Sequence, residues 1–242
     1  MSASMIHVYK LISLGLSYPA ERNWNALSGF LPLTEDMADD KLRERISGFR
    51  KVFEKVKGER ELIESEYLRI FDTGGLISPY ETEYLIEKIS RKPFELADIS
   101  GFYQAFGFEL SDEDGCREVV DHIAVELEFM ALMALKEEYA REQKQADNLH
   151  VVEDATKKFF KEHLAKWGFW LSMQIAELDC HRFYRELGSV FETVLEMGCK
   201  QFGINSSDFR MKLNRMTYTG VRGEELTCGQ IHGMHEGKML KR

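Results

Sequence analysis

The sequence predicts an all-α protein. Prolines number only four in 242 residues, runs of Val, Ile and Thr are almost absent, and apolar residues recur at three- and four-residue spacing through most of the chain. Met5 to Ser17 puts Met5, Val8, Ile12 and Leu16 in helical register with Tyr9 and Leu14 beside them, and Tyr18-Pro19 ends it. A second short helix runs from about Glu21 to Phe30 and stops before Pro32. After Thr34-Glu35-Asp36, the residues Leu42, Ile46, Phe49, Val52, Phe53 and Val56 mark a longer helix with Gly58 as its stop. Leu62 to Phe71 forms the next helix, and Asp72 to Glu81, with two glycines and a proline, forms a loop. Pro93 suits a helix start, so Phe94 to Phe106 is read as a helix ended by Gly107.

The central element follows the acidic link Ser111–Gly115, a plausible hinge, and is predicted to run from Cys116 to about Gln143. Val119, Ile123, Leu127, Met130 and Ala134 share one face, while Val125, Phe129 and Leu132 make a second apolar strip. A helix apolar on more than one side belongs inside a bundle. After the polar stretch Glu137–Asn148 a helix resumes near Val151, passes a predicted kink at Gly168 and reaches Leu178. The last helix spans about Cys180 to Phe202 and ends at Gly203. The expected architecture is one bundle of about nine or ten helices over residues 1–205, followed by a weakly structured tail, 206–242.

Composition narrows the function classes. Hydrophobic residues at 44% and aromatics at 12% are ample for a packed core. No apolar run nears the length of a membrane span and no signal peptide is apparent. Cysteines at 116, 180, 199 and 228 are scattered, which suits a reducing compartment. A cytoplasmic protein without direct membrane insertion is expected. The net charge of −9 is concentrated between Glu109 and Asp154, where 14 acids face 4 bases. This disfavours nucleic acid as the main partner and allows a basic one.

Two stretches carry candidate chemistry. The Asp72–Glu81 loop has Tyr67 and Phe71 before it and Tyr80 and Tyr84 at or after its end. No strand precedes its glycines and no Lys-Ser/Thr follows, so a phosphate-cradling loop is excluded; core packing accounts for at least half of the aromatics. At the start of the central helix, Asp121 is placed to meet the helix dipole. His122 and Glu126 lie one turn apart, as an ordinary i,i+4 hydrogen bond, a binding site or part of a metal site.

In order, Glu66-Tyr67-Leu68-Arg69-Ile70-Phe71, Ser78-Pro79-Tyr80-Glu81-Thr82-Glu83-Tyr84, Gly101-Phe102-Tyr103-Gln104-Ala105-Phe106-Gly107 and Asp121-His122-Ile123-Ala124-Val125-Glu126-Leu127-Glu128-Phe129-Met130 resemble the TorD/DmsD/NarJ family of redox-enzyme maturation chaperones. The resemblance covers about Ile6 to Phe202. It implies an all-α, TorD-like fold and a non-enzymatic cytoplasmic chaperone without a cofactor of its own. The implied partner is the apo catalytic subunit of a molybdopterin-dependent oxidoreductase, held in many cases by its twin-arginine leader until cofactor insertion and export. A monomer or a domain-swapped dimer is compatible with the family. The implied peptide-binding residues are Tyr67, Ile70, Phe71, Pro79, Tyr80, Glu81, Asp121, His122 and Glu126. A basic pair would meet the carboxylates and an apolar run the aromatics and Pro79. Departures fall at Val120, where many relatives have proline, at Ser78 in a Ser-Pro-Tyr loop, and at Tyr67, where some have tryptophan.

Two other readings compete. Glu118, His122 and Glu126 at i, i+4, i+8 could serve a metal-binding bundle enzyme, although only Glu177 and His181 suggest a matching set elsewhere. Cys228, His232 and His235 give the tail a partial metal set. A permanent subunit of a reductase complex is the third reading.

Overall fold

A computed structural model describes residues 3–34, 39–72, 75–84, 88–110 and 119–209. Among these, nine α-helices follow in order: α1 (Ala3–Leu16), α2 (Glu21–Phe30), α3 (Asp40–Val56), α4 (Arg60–Phe71), α5 (Lys88–Ala105), α6 (Ile123–Glu142), α7 (Ala146–Phe159), α8 (Ala165–Glu177) and α9 (Arg182–Phe202). Two 3₁₀ turns, Leu31–Thr34 and Glu81–Tyr84, fall where the sequence signalled no helix. No β-strand is present among the described residues, and the all-α expectation holds.

Several boundaries differ from the expected ones, each for a local reason. The central helix α6 begins at Ile123, with His122 as its N-cap, so Val119 precedes the helix and is 48% exposed. The residues expected to form its first turn and hinge, 111–118, lie outside the described set. Helix α5 starts at Lys88 and carries Pro93 inside it. Between α6 and α7 only residues 143–145 break the helix, with Lys144 at φ 55, so the polar stretch is mostly helical. The irregularity assigned to Gly168 sits instead at a π-helical turn, Phe160–Leu164, joining α7 to α8. Gly168 has a different role: a Cβ there would lie 3.0 Å from Phe191 and 3.2 Å from Leu195, so it lets α8 and α9 approach closely.

Helix α6 is central, as its two apolar strips require. It packs along α1 and beside α7, while α9 is flanked by α3 and α8. Phe129 on α6 is fully buried, with ring centroids 4.6 Å from Phe159, 4.9 Å from Tyr103 and 5.8 Å from Phe108. Trp24, Phe49, Phe53 and Phe183 form a second aromatic knot between α2, α3 and α9. Gly203, in the left-handed conformation at φ 66, closes α9, and the N–H of Ile204 donates to Cys199 O at 2.8 Å. Beyond it, Ser206–Phe209 continues in order, and Phe209 stacks on Phe169 at 6.0 Å. The rest of the tail, with Cys228, His232 and His235, lies outside the described residues. No helix among the described residues is long and apolar enough to cross a membrane.

Truncating the hub of this core should be costly. Phe129→Ala is expected to lose about 3–5 kcal/mol of unfolding free energy in urea titration. Val151→Ala, at a 58% exposed position of α7, should stay within about 0.5 kcal/mol of the parent.

Candidate binding site at the start of the central helix

The first N–H groups of a helix have no partner inside it, and at a buried helix start they must find acceptors. Here each one does. His122 N donates to Val119 O at 3.0 Å, Ile123 N to Pro79 O at 2.9 Å, Ala124 N to the His122 ring Nδ1 at 3.1 Å, and Val125 N to His122 O at 2.9 Å. In return Glu81 N donates to Asp121 O at 3.0 Å, so Tyr80 and His122 pair as an isolated antiparallel bridge. The Pro-Tyr-Glu segment, some forty residues earlier in the chain, is thus stitched by backbone onto the helix start. Ser13 of α1 adds a hydroxyl donated to Ala124 O at 2.8 Å.

The polar side chains of this junction reinforce the stitching. Asp121 accepts from the Thr82 hydroxyl at 2.6 Å and from Thr82 N at 3.2 Å. Glu81, 1% exposed, turns inward, with His163 Nδ1 at 3.0 Å and the Lys166 ammonium at 3.3 Å; Lys166 also reaches Glu95 at 3.4 Å. His163 sits in the π-helical turn, and its Nε2 lies 3.2 Å from Asp98. Glu126 is fully buried, and the Trp167 indole N–H donates to both its oxygens at 3.2 and 3.3 Å. Burial, with the Glu81 carboxylate adding to it, pushes Glu126 well above the usual carboxylate range. Burial lowers His122 to about 3, which suits a neutral ring whose Nδ1 accepts from the helix and whose Nε2 lies 3.5 Å from the Tyr67 hydroxyl.

Outside this junction lies a cleft of about 400 Å³. Phe71, Ile77, Pro79, Tyr80 and Val119 supply apolar surface, and Asp72, Glu83, Asp121 and Lys92 supply charge. Gly75 shapes its edge: a Cβ there would stand 2.6 Å from Ile70 O and 2.7 Å from Asp72 O, so the loop closes this tightly only with glycine. Leu76, 49% exposed, and Val119 leave apolar surface at the rim. Tyr80 is half-buried and edge-on to His122, with ring centroids 5.2 Å apart.

All nine residues singled out in the sequence fall at this junction, on different sides of it. Phe71, Pro79, Tyr80 and Asp121 line the cleft. Ile70 and Tyr67 are buried in the core, Tyr67 with its ring 5.1 Å from Phe71. Glu81, His122 and Glu126 point inward to the partners just described. Of the readings open for His122 and Glu126, an i,i+4 side-chain bond gives way to these contacts, and His122 caps the helix whose dipole Asp121 was placed to meet. Glu118 of the metal reading lies outside the described residues, and His181 caps α9 by accepting from Phe183 N. Glu81, Glu95 and His163 do bring ligand atoms within 4.8 Å of one another, but the Lys166 ammonium already bridges the two carboxylates. Sequence reasoning missed Lys92, His163 and Lys166, whose roles depend on α5 and α8 meeting the loop, and it read Trp167 only as core.

Fold and site together define an all-helical protein with an acidic, apolar-floored cleft where a loop caps its central helix. Residues 35–171 match the nitrate reductase delta subunit family, more than half of the chain, and the protein belongs to that family. The resemblance to the TorD/DmsD/NarJ chaperones is thereby borne out. The chain is similar to the chlorate reductase assembly chaperone protein of Ideonella dechloratans, 31% identical over 140 residues, covering 55% of this chain and 69% of the relative. It is similar to the selenate reductase assembly chaperone protein of Thauera selenatis, 35% identical over 111 residues, covering 44% and 54%. The perchlorate reductase assembly chaperone protein of Dechloromonas aromatica is 26% identical over 178 residues, covering 69% and 75%.

The two buried titrating groups give opposite pH signatures. His122 has a depressed value in the fold, so its contribution is intact above the ordinary histidine value and is lost as pH falls toward about 3. Within that window the slope is about 1.4 kcal/mol per pH unit, and His122→Asn, which keeps a capping side chain, should flatten it in urea titrations. Glu126 has a raised value, so its contribution is intact below the ordinary glutamate range and is lost as pH rises through the folded value. Glu126→Gln should therefore gain stability over the parent at pH 8 relative to pH 4.5; an unchanged difference would contradict a protonated Glu126.

Proposed function

We propose that this protein is a non-enzymatic, cytoplasmic assembly chaperone for a molybdopterin-dependent oxidoreductase. It holds the apo catalytic subunit by its twin-arginine leader until the cofactor is inserted and export can proceed. The relatives named as reductase assembly chaperones support this reading, and the cleft beside the Pro-Tyr-Glu loop carries it, because its chemistry complements a leader. A twin-arginine leader is a basic pair followed by an apolar run. Asp72 and Glu83 offer acceptors for guanidinium groups, with Asp121 buried behind them adding negative charge, and Phe71, Ile77, Pro79, Tyr80 and Val119 offer the apolar floor. Tyr67, Ile70, Glu81, His122 and Glu126 contribute from behind, by fixing the loop and the helix start that form the walls. Binding and release, rather than turnover, are the whole of the activity.

The family's own description as a subunit favours one other reading, a permanent place in a reductase complex. It predicts stoichiometric association with the mature, cofactor-loaded enzyme, whereas a chaperone parts from it. Calorimetric titration with the leader of a reductase from the same source tests the proposal. The parent should bind, Tyr80→Ala should bind about tenfold more weakly, as befits a central aromatic contact, and Tyr139→Ala on the distant part of α6 should match the parent. Absence of binding by the parent, or equal binding by Tyr80→Ala, would contradict the assignment of this cleft.

A further inference from the structure

The cleft contains a charge that its proposed ligand does not need. Among its described lining residues, Lys92 is the sole cation, set against Asp72, Glu83 and Asp121. Its ammonium lies 3.0 Å from Glu83 Oε1. The two groups come from different elements: Lys92 stands on α5 just before Pro93, and Glu83 on the 3₁₀ turn that α5 packs against. Both side chains keep contact with water, at 43% and 36% exposure. Exposed pairs of this kind are weak and exchange readily. A planar guanidinium offers a carboxylate two parallel hydrogen bonds, whereas an ammonium is a point charge.

From this arrangement we infer that Lys92 is a resident competitor: it occupies the cationic subsite on Glu83 in the empty cleft, and an incoming arginine must displace it. The inference rests on the cleft being the site for a basic peptide. Lys92 remains close after displacement, because α5 holds its backbone, and its charge opposes the ligand's. Affinity is thereby kept below what the cleft's acids alone would give, and dissociation is accelerated. For a protein that must hand its client on, this makes Lys92 a determinant of release. The same charge discriminates among ligands, since only a segment with a strong cationic group gains from meeting Glu83 once Lys92 has been moved aside.

The test uses a synthetic peptide with an Arg-Arg pair followed by an apolar run, and the same peptide with Gln-Gln in place of the pair. Each is titrated into the parent, Lys92→Met, Lys92→Gln and Glu83→Gln at low and at moderate salt, with thermal melts recorded alongside. Lys92→Met and Lys92→Gln should both bind the Arg-Arg peptide about fivefold tighter, a change in the range measured for exposed charge pairs, with slower dissociation and a smaller gain at higher salt. Glu83→Gln should bind it more weakly, and the Gln-Gln peptide should not distinguish the Lys92 variants from the parent. If the parent binds the Arg-Arg peptide and both Lys92 variants bind it equally or more weakly, Lys92 is not a competitor, though the cleft reading stands. If no variant binds the peptide, the cleft reading falls and this inference with it. Equal tightening of both peptides would assign Lys92 a shaping role and overturn the competition.

Discussion

The need to satisfy the first amides of a buried helix governs much of this structure. Helix α6 is enclosed by α1, α7 and the aromatic cluster around Phe129, and its start is removed from solvent. Water cannot serve its N–H groups there, so a distant part of the chain must. Pro79 gives the acceptor, and its nitrogen, having no N–H, adds no further donor to satisfy at this buried junction. Once Ile123 N and Glu81 N are paired across the junction, the cleft between loop and helix follows as a consequence. The positions of Phe71, Gly75 and Tyr80 at its walls are then fixed by the short loop that connects α4 to the pairing segment.

Burying acids behind the cleft has an evident cost, and the bundle meets it with specific partners. Glu81 has Lys166 and His163, Asp121 has the Thr82 hydroxyl and amide, and Glu126 has the Trp167 indole. Trp167 and Trp170 also pack against Tyr84, which closes the 3₁₀ turn after the loop. The π-helical turn in the α7–α8 connection contributes directly, since it holds His163, and Lys166 follows one turn later. Removing Lys166 from beside Glu81 would leave a buried charge uncompensated, which is far more damaging than loss of an exposed pair. The loop therefore has a rigid back, while its outer face, with Tyr80, Leu76 and the Lys92–Glu83 pair, retains contact with solvent.

The helices were legible because burial on one or two faces writes a period into the sequence, and α3, α4, α6 and α9 follow it closely. Boundaries were less legible where a side chain made the decision. Nothing in the pattern of Val119 and Val120 reveals that His122, through its ring nitrogen, begins the helix after them. Pro93 suits a helix start, where proline is so well tolerated, yet α5 begins earlier. The nine candidate residues came together since they share motifs on both sides of one junction. Which of them face the cleft and which face the core could not be read from spacing, because His163, Lys166 and Trp167 arrive from a part of the chain remote in sequence. Glu81, by its motif an exposed acid awaiting a ligand, is turned inward by two of them.

Photo-crosslinking would locate the client on the chaperone and decide whether this cleft holds it. A benzoyl-phenylalanine would replace Tyr80, and a second would replace Tyr139, which lies on the order of 25 Å along α6 from its start at the helical rise. Each variant would be irradiated with the full-length apo catalytic subunit of a reductase from the same source. The expected result is a crosslink from position 80 that maps to the subunit's N-terminal basic and apolar segment, suppressed by excess leader peptide, with none from position 139. Crosslinks from position 139 alone, or a position-80 crosslink to the folded body that excess leader leaves unchanged, would contradict it.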